Sequence, residues 1–348
     1  MAGTSAFEPH LGTGTISPRF RRRAFGHCPV VSCMGRQSVL ARRKGERMAE
    51  VRLLDGGVGE EMIARSADAP TPLWATQAMI DHPGLAREVH LDYWRAGATI
   101  STANTYAIFH DRLNPCGLDS HYHSLHLRAL LEAHEAHEES GQSGMIAGSM
   151  GPLGDSYRPD LAPSVSESAA LYAEKARILA PHVDLILLET LPSLALAEGA
   201  LTGAAAAGRP VWLSVTVDDR DGSRLRSGEP VAELRALVMA HPAGALLVNC
   251  SIPEAMAPAL SALAPIAADL NCPFGAYANG FHPITGNLQS GILPGILRRP
   301  DLTPAAYAAF ALKWVDMGAR IVGGCCEIGP SHIRYLRDAL IAAGHRII

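Results

Sequence analysis

From Val51 onward, short β-branched or aliphatic runs alternate with stretches whose apolar positions recur at helical spacing. Unbroken or period-two apolar runs read as strands, and a 3.6-residue period reads as a helix. The pattern predicts strands at 51–54, 98–103, 144–147, 183–188, 210–217, 244–248, 273–278 and 319–322. Between and after them it predicts helices at 83–96, 121–140, 166–182, 193–207, 230–240, 253–269, 304–317 and 331–343, several opened by Ser, Thr or Pro in the first turn. Strict alternation of strand and helix means parallel strands with crossover helices. Eight such units over residues 48–348 predict the α/β class and a single (β/α)8 TIM barrel, whose usual size is roughly 250 residues plus insertions. A doubly wound open sheet is the rival architecture, since strand order cannot be read from one sequence.

The longer connections, 104–118, 148–164, 218–229 and 279–302, all follow strands. In a barrel they therefore sit on the C-terminal rim, where active sites of this architecture are built.

The 348 residues carry 30 Lys+Arg against 34 Asp+Glu, with 48% hydrophobic and 18% charged, enough apolar content for a large core and too much for a disordered chain. Charge is uneven. Residues 1–47 hold nine basic residues and only Glu8 and Glu46, so the body from 48 on is acidic, which argues against nucleic acid as a partner. The basic segment has no continuous apolar stretch of the secretory type; it reads as a disordered or mis-assigned leader, with an organellar transit peptide as the minor alternative. No apolar run reaches the roughly 18 residues of a membrane span. Seven cysteines, an odd number at irregular spacing, read as free thiols or ligands rather than a disulfide framework, which suits a reducing compartment and a cytoplasmic location.

The predicted strands end in Asp55-Gly56-Gly57, Asn104-Thr105-Tyr106, Gly148-Ser149, Glu189-Thr190, Asp218-Asp219, Asn249-Cys250-Ser251, Asn279-Gly280 and Gly323-Gly324-Cys325-Cys326. Alone, a Cys-Cys pair after a strand is ordinary packing of a small hydrophobe. Here Cys250 ends a strand near the same point of the rim. Soft thiolates select zinc, and three protein ligands with one open position form the pattern of a catalytic site. Adjacent strand residues point to opposite faces, so Cys325 and Cys326 reach one ion only where the chain bends, as Gly323 and Gly324 permit. Cys28, Cys33, Cys116 and Cys272 have no such company and read as leader, loop or core. Trp74, Trp94, Trp212 and Trp314 read as core, and the histidines from His121 to His137 as a solvated helix face.

Leu54-Asp55-Gly56-Gly57, Thr102-Ala103-Asn104-Thr105-Tyr106, Gly148-Ser149-Met150-Gly151-Pro152, Leu188-Glu189-Thr190-Leu191-Pro192, Val248-Asn249-Cys250 and Gly323-Gly324-Cys325-Cys326 with Pro330 and His332 resemble the signature blocks of the homocysteine S-methyltransferase family. The resemblance runs from about Arg52 to Leu340. It implies a barrel holding one zinc on Cys250, Cys325 and Cys326, and transfer of a methyl group from a small sulfonium or betaine-type donor to the thiol of homocysteine, giving methionine. It further implies that Asp55, Gly56, Gly57, Glu189, Thr190 and Asn104 bind substrate. Asn279 matches an asparagine that serves as a displaceable fourth ligand in some relatives. Two departures bear on the donor pocket: Glu327-Ile328-Gly329 follows the cysteine pair where many relatives have a basic or small residue and two threonines, and Tyr277-Ala278-Asn279 replaces the commoner Tyr-Pro-Asn.

Two other classes stay open at this level. A phosphate-binding barrel would use Asn279-Gly280 and Gly323-Gly324, and a non-catalytic protein would use the cysteines to bind zinc or thiols. A Schiff-base aldolase is excluded, because Lys44, Lys175 and Lys313 lie in the leader and on predicted helices.

Overall fold

The computed structural model describes residues 48–69, 71–284 and 298–348. The leader, Cys28, Cys33 and much of the connection 279–302 therefore lie outside the described residues. Among the described residues there are nine strands: β1 Glu50–Leu53, β2 Ile100–Ala103, β3 Met145–Met150, β4 Leu185–Leu191, β5 Val211–Val215, β6 Ala245–Asn249, β7 Phe274–Tyr277, β8 Ile321–Val322 and β9 Arg346–Ile347. They form one curled parallel sheet in the order β2-β3-β4-β5-β6-β7-β8-β1-β9. The far end of β1 also meets β2: Leu54 bridges Ile100 in parallel, Asp55 N donates to Ile100 O at 3.0 Å, and Thr99 N donates to Leu53 O at 2.7 Å.

Alternation along the strands sorts their side chains into two layers. Leu185 and Leu187 of β4 join Leu54, Ile100, Trp212, Leu247, Tyr277 and Ile321 in a cluster on the inner face of the curl. Ile186 and Leu188, one residue out of phase, join the larger cluster against the helices. Both layers exclude water, at about 1.5–3 kcal/mol for each large aliphatic side chain fully buried.

All eight predicted strands overlap observed ones, and the eight predicted helices are found with shifted ends. Helix starts follow the caps. Ser164 and Glu167 form a reciprocal capping box on Val165–Leu179, Ser193 accepts from Leu196 N at 3.2 Å, and Thr303 caps a helix begun by Pro304. Three helices lie beyond the expectation: Val58–Ser66 and Ala75–Asp81 after β1, and the single turn His110–Leu113 after β2. The two-residue β9 beside β1 was also unforeseen, as so short a strand leaves no periodic signature.

The expected histidine face is not solvated throughout: His126 is fully buried with Nδ1 at 2.7 Å from Tyr122 O, and His137 stacks on Trp94. Among the described residues no helix is long and apolar enough to cross a membrane.

Candidate functional site

The carboxyl ends of the strands open into a cavity of about 570 Å³. Asp55, Gly56, Gly57, Asn104, Glu189, Thr190, Cys250, Cys325 and Cys326 all line it. Strands 75 residues apart in the chain thus deliver their cysteines to one place, and the three Sγ atoms lie within 4.8 Å of one another.

Backbone geometry puts them there. Cys250 leaves β6 at φ +52°, and Thr190 sits at φ +63° within the last residues of β4, where its register against β5 shifts, both in the left-handed region that non-glycine residues seldom adopt. Asn249 holds the second of these bends: its Oδ1 accepts from Thr190 N at 2.9 Å and from Ser214 Oγ at 2.7 Å, while its Nδ2 donates to Thr190 Oγ1 at 2.8 Å. The end of β1 and the cysteine turn then pack backbone to backbone. Gly324 N donates to Asp55 O at 2.9 Å, and a Cβ on Gly56 would lie 1.9 Å from Ile328 O. A Cβ on Gly324 would meet Ile328 at 2.2 Å, so this glycine segment is filled by packing and leaves no open phosphate cradle.

The thiol trio suits a cation. Hydrogen bonds from Cys325 and Cys326 hold the Cys250 thiol well below its ordinary value, and the same contacts push the other two well above theirs. One negative charge is easily held and the next two are resisted, a repulsion that a divalent ion bound to all three sulfurs removes. The Tyr157 hydroxyl, kept protonated by burial and by the charge at Cys250, lies 3.1 Å from Cys250 Sγ as a donor. Beyond Tyr157, the Arg226 guanidinium sits 5.0 Å from the ring centroid and pairs with buried Asp219 at 3.1 Å. Asp219 in turn accepts from Ile252 N and Ile284 N, tying the chain on both sides of the cluster.

Two carboxylates face the same space. Asp55 accepts from Thr102 N at 2.6 Å and from the Thr102 hydroxyl; Glu189 accepts from the Ser149 hydroxyl and from Tyr277 OH at 3.1 Å. Burial pushes both up to about 7, and neither has an ion-pair partner among the described residues. A ligand ammonium entering here would supply the missing charge.

Asn104 turns its Nδ2 to Ala75 O at 3.3 Å, so it fastens the helix Ala75–Asp81 as well as lining the cavity. The turn that carries it is secured by Lys175, fully buried, whose Nζ donates to Thr105 O at 2.6 Å and sits 3.7 Å from the Phe109 ring centroid. Asn279, the candidate fourth ligand, does not line the cavity; its Oδ1 accepts from Phe281 N at 3.3 Å, the arrangement of a turn asparagine. Cys272 lies away from the cluster, whereas Cys116 lines the cavity mouth.

Trp74 packs against the core, as expected, and also faces the cavity. It follows β1 at φ +49°, lines the cavity, and donates its indole N–H to Glu60 at 3.1 Å. Tyr106 meets it edge to face at 5.8 Å between centroids. Glu60, Trp74, Tyr157 and Asn249 escaped the sequence reading, though Asn249 stands inside a quoted block, immediately before a ligand candidate.

A family model described as homocysteine S-methyltransferase matches residues 52–340. The chain is 30% identical over 304 residues to the homocysteine S-methyltransferase of Escherichia coli, covering 83% of this chain and 94% of that protein. It is 27% identical over 314 residues to a selenocysteine methyltransferase of Astragalus bisulcatus, covering 81% and 90%. The crystal structure of the homocysteine methyltransferase MmuM from Escherichia coli, in its metallated form, superposes with a TM-score of 0.69 at 29% identity, over 83% of this chain and 96% of that one.

Proposed function

The chain belongs to the homocysteine S-methyltransferase family, whose reaction is methyl transfer to homocysteine giving methionine, and from that premise we propose a site assignment, a metal and a donor class. The metal is one zinc ion held by Cys250, Cys325 and Cys326. Bound there, it would take up the acceptor sulfur as a thiolate and keep it nucleophilic at neutral pH. The donor set itself supports this: three thiols within reach of one ion, one of them readily charged.

The chain's own residues do the rest. Asp55 and Glu189 receive the ammonium of homocysteine, which fixes the amino acid and aims its sulfur at the cluster. Tyr157 donates to Cys250 Sγ and holds that thiolate in place. Thr102, Ser149 and Tyr277 orient the two carboxylates by donating to them. In the transfer a bond forms between the acceptor sulfur and the methyl carbon as the donor's carbon–sulfur or carbon–nitrogen bond breaks. The bonding pair leaves with the neutral thioether or amine, and the thiol proton goes to solvent. Holding both partners in line is where the cavity contributes most to the rate.

We read the curled sheet as a closed (β/α)8 barrel, because β1 bonds β8 along one edge while its end bonds β2 along the other. Residues 48–348 are the working unit in this reading, since the three cysteines and the two carboxylates of the cavity fall within them.

The observation that carries the proposal is the convergence on one cavity of three thiols and two carboxylates that have no ion-pair partner among the described residues. The test is a donor panel on the zinc-loaded chain with homocysteine: S-methylmethionine, S-adenosylmethionine, glycine betaine and dimethylsulfoniopropionate. Methionine from at least one donor, abolished by chelation, is the expected result. Metal-independent turnover, or none with any donor, would refute it.

A further inference from the structure

With the acceptor sulfur at the cysteines and its ammonium at Asp55 and Glu189, another part of the cavity wall remains unassigned. It is made by Glu60, Trp74, Tyr106 and Arg112, from the helix Val58–Ser66 and the segments after β1 and β2. Two aromatic rings meet edge to face at 5.8 Å, a surface that attracts an onium group through the ring quadrupole. The Arg112 guanidinium lies 5.9 Å from the Tyr106 centroid and uses one nitrogen on Pro152 O at 3.2 Å, which leaves further N–H donors for an anion.

Glu60 is the unusual member. One of its oxygens accepts the Trp74 indole N–H at 3.1 Å. The other has no hydrogen-bond partner among the described residues, and Glu60 takes part in no ion pair there. Burial, then the charge of Glu327, disfavour its ionised form, which an incoming cation would restore. A sulfonium or quaternary ammonium carries no N–H and is best served by the rings. A vacant carboxylate oxygen is best matched by a group that donates a hydrogen bond along with its charge.

We propose that Glu60 is a specificity-determining residue that reads the donor: its free oxygen takes the ammonium of a sulfonium amino acid whose methyl-bearing sulfur lies against Trp74 and Tyr106 and whose carboxylate pairs with Arg112. This rests on the methyl-transfer reading above and narrows it. Donors that combine an onium with a carboxylate alone leave Glu60 desolvated and unpaired, and are selected against.

The test compares S-methylmethionine with dimethylsulfoniopropionate, a sulfonium carboxylate that lacks the amino group, on the zinc-loaded wild type and on Glu60→Gln. Glutamine keeps an acceptor for the Trp74 N–H while removing the charge. Wild type should prefer S-methylmethionine. In Glu60→Gln, kcat/KM for that donor should fall by roughly one to two orders of magnitude, with no loss for dimethylsulfoniopropionate and no change in the KM of homocysteine. Calorimetric binding of S-methylmethionine without homocysteine should weaken by the same factor. An equal loss for both donors would make Glu60 a support for Trp74 and overturn the proposal, as would no change with either donor or a wild type that prefers dimethylsulfoniopropionate. A wild type that methylates homocysteine from no donor would overturn the methyl-transfer reading itself, a result distinct from all of these.

Discussion

The cavity wall made by the ends of β4, β6 and β8 and the wall made by residues 58–60, 72–74 and 104–116 are held by different means. In the first, Glu189 lies within β4, Cys250 directly follows β6 and Cys325 follows β8 after two glycines, and the bends at Thr190 and Cys250 are held by buried Asn249 and by the Asp219–Arg226 pair. In the second, Glu60, Trp74 and Tyr106 ride on short helices and turns outside the sheet, fastened by side-chain contacts to backbone such as Asn104 to Ala75 O and Lys175 to Thr105 O. A wall fixed by the sheet suits a constant task, gripping the acceptor sulfur and amino group. A wall of separate inserted pieces can change one residue at a time, which suits donor choice.

If that division is right, lesions in the first wall are nearly all-or-none. Serine at Cys250, Cys325 or Cys326 should reduce bound zinc to background and cost turnover more than the roughly 10–100-fold expected for losing an outer partner. Metal analysis after dialysis against chelator checks this, with Cys116→Ser and Cys272→Ser retaining full zinc as controls. Tyr157→Phe sharpens the point. It removes only the hydroxyl beside Cys250, so zinc should stay bound but about 10–100-fold more weakly; unaltered zinc affinity would take Tyr157 out of the site.

The same division governs how much could be read beforehand. The strands, their order of appearance and the cysteine, aspartate and glutamate positions were legible because apolar runs mark strands and the polar residue just after a run marks the rim. Trp74 and Glu60 were not, because the helices Val58–Ser66 and Ala75–Asp81 are short and sit where a direct passage from first strand to long helix was expected. Hydropathy alone assigns a tryptophan to the core; that its ring faces a cavity depends on the φ +49° bend at Trp74, which leaves no periodic signal. Asn279 has two readings, a displaceable ligand by its match to the family and a turn asparagine before Gly280; its side chain, drawn back to Phe281 N and outside the cavity lining, has the arrangement of the second.

A smaller effect should come from Glu189→Gln, which exchanges a charge-assisted contact for a neutral one. Homocysteine binding should weaken by about 1.5–3 kcal/mol with zinc retained, and a plain alkyl thiol should be indifferent. Equal weakening for both thiols would assign Glu189 to the fold. The mildest effect is on pH dependence. Asp55 and Glu189 both titrate near 7 in the free protein, and only their ionised forms attract an ammonium. Methionine, which has the ammonium and no thiol, should therefore bind more tightly as pH rises from 6 to 8, by up to about tenfold for each carboxylate engaged. Affinity that is flat, or that falls with pH, would mean the ammonium is held elsewhere.

The central claim is that three cysteine sulfurs hold one metal and leave it a place for the substrate's sulfur. X-ray absorption at the zinc edge of the holoenzyme measures this directly. The account predicts three sulfur neighbours and one lighter atom without homocysteine, and four sulfurs once homocysteine is bound. Fewer than three sulfurs in the free enzyme, or a coordination shell unchanged by homocysteine, would contradict it.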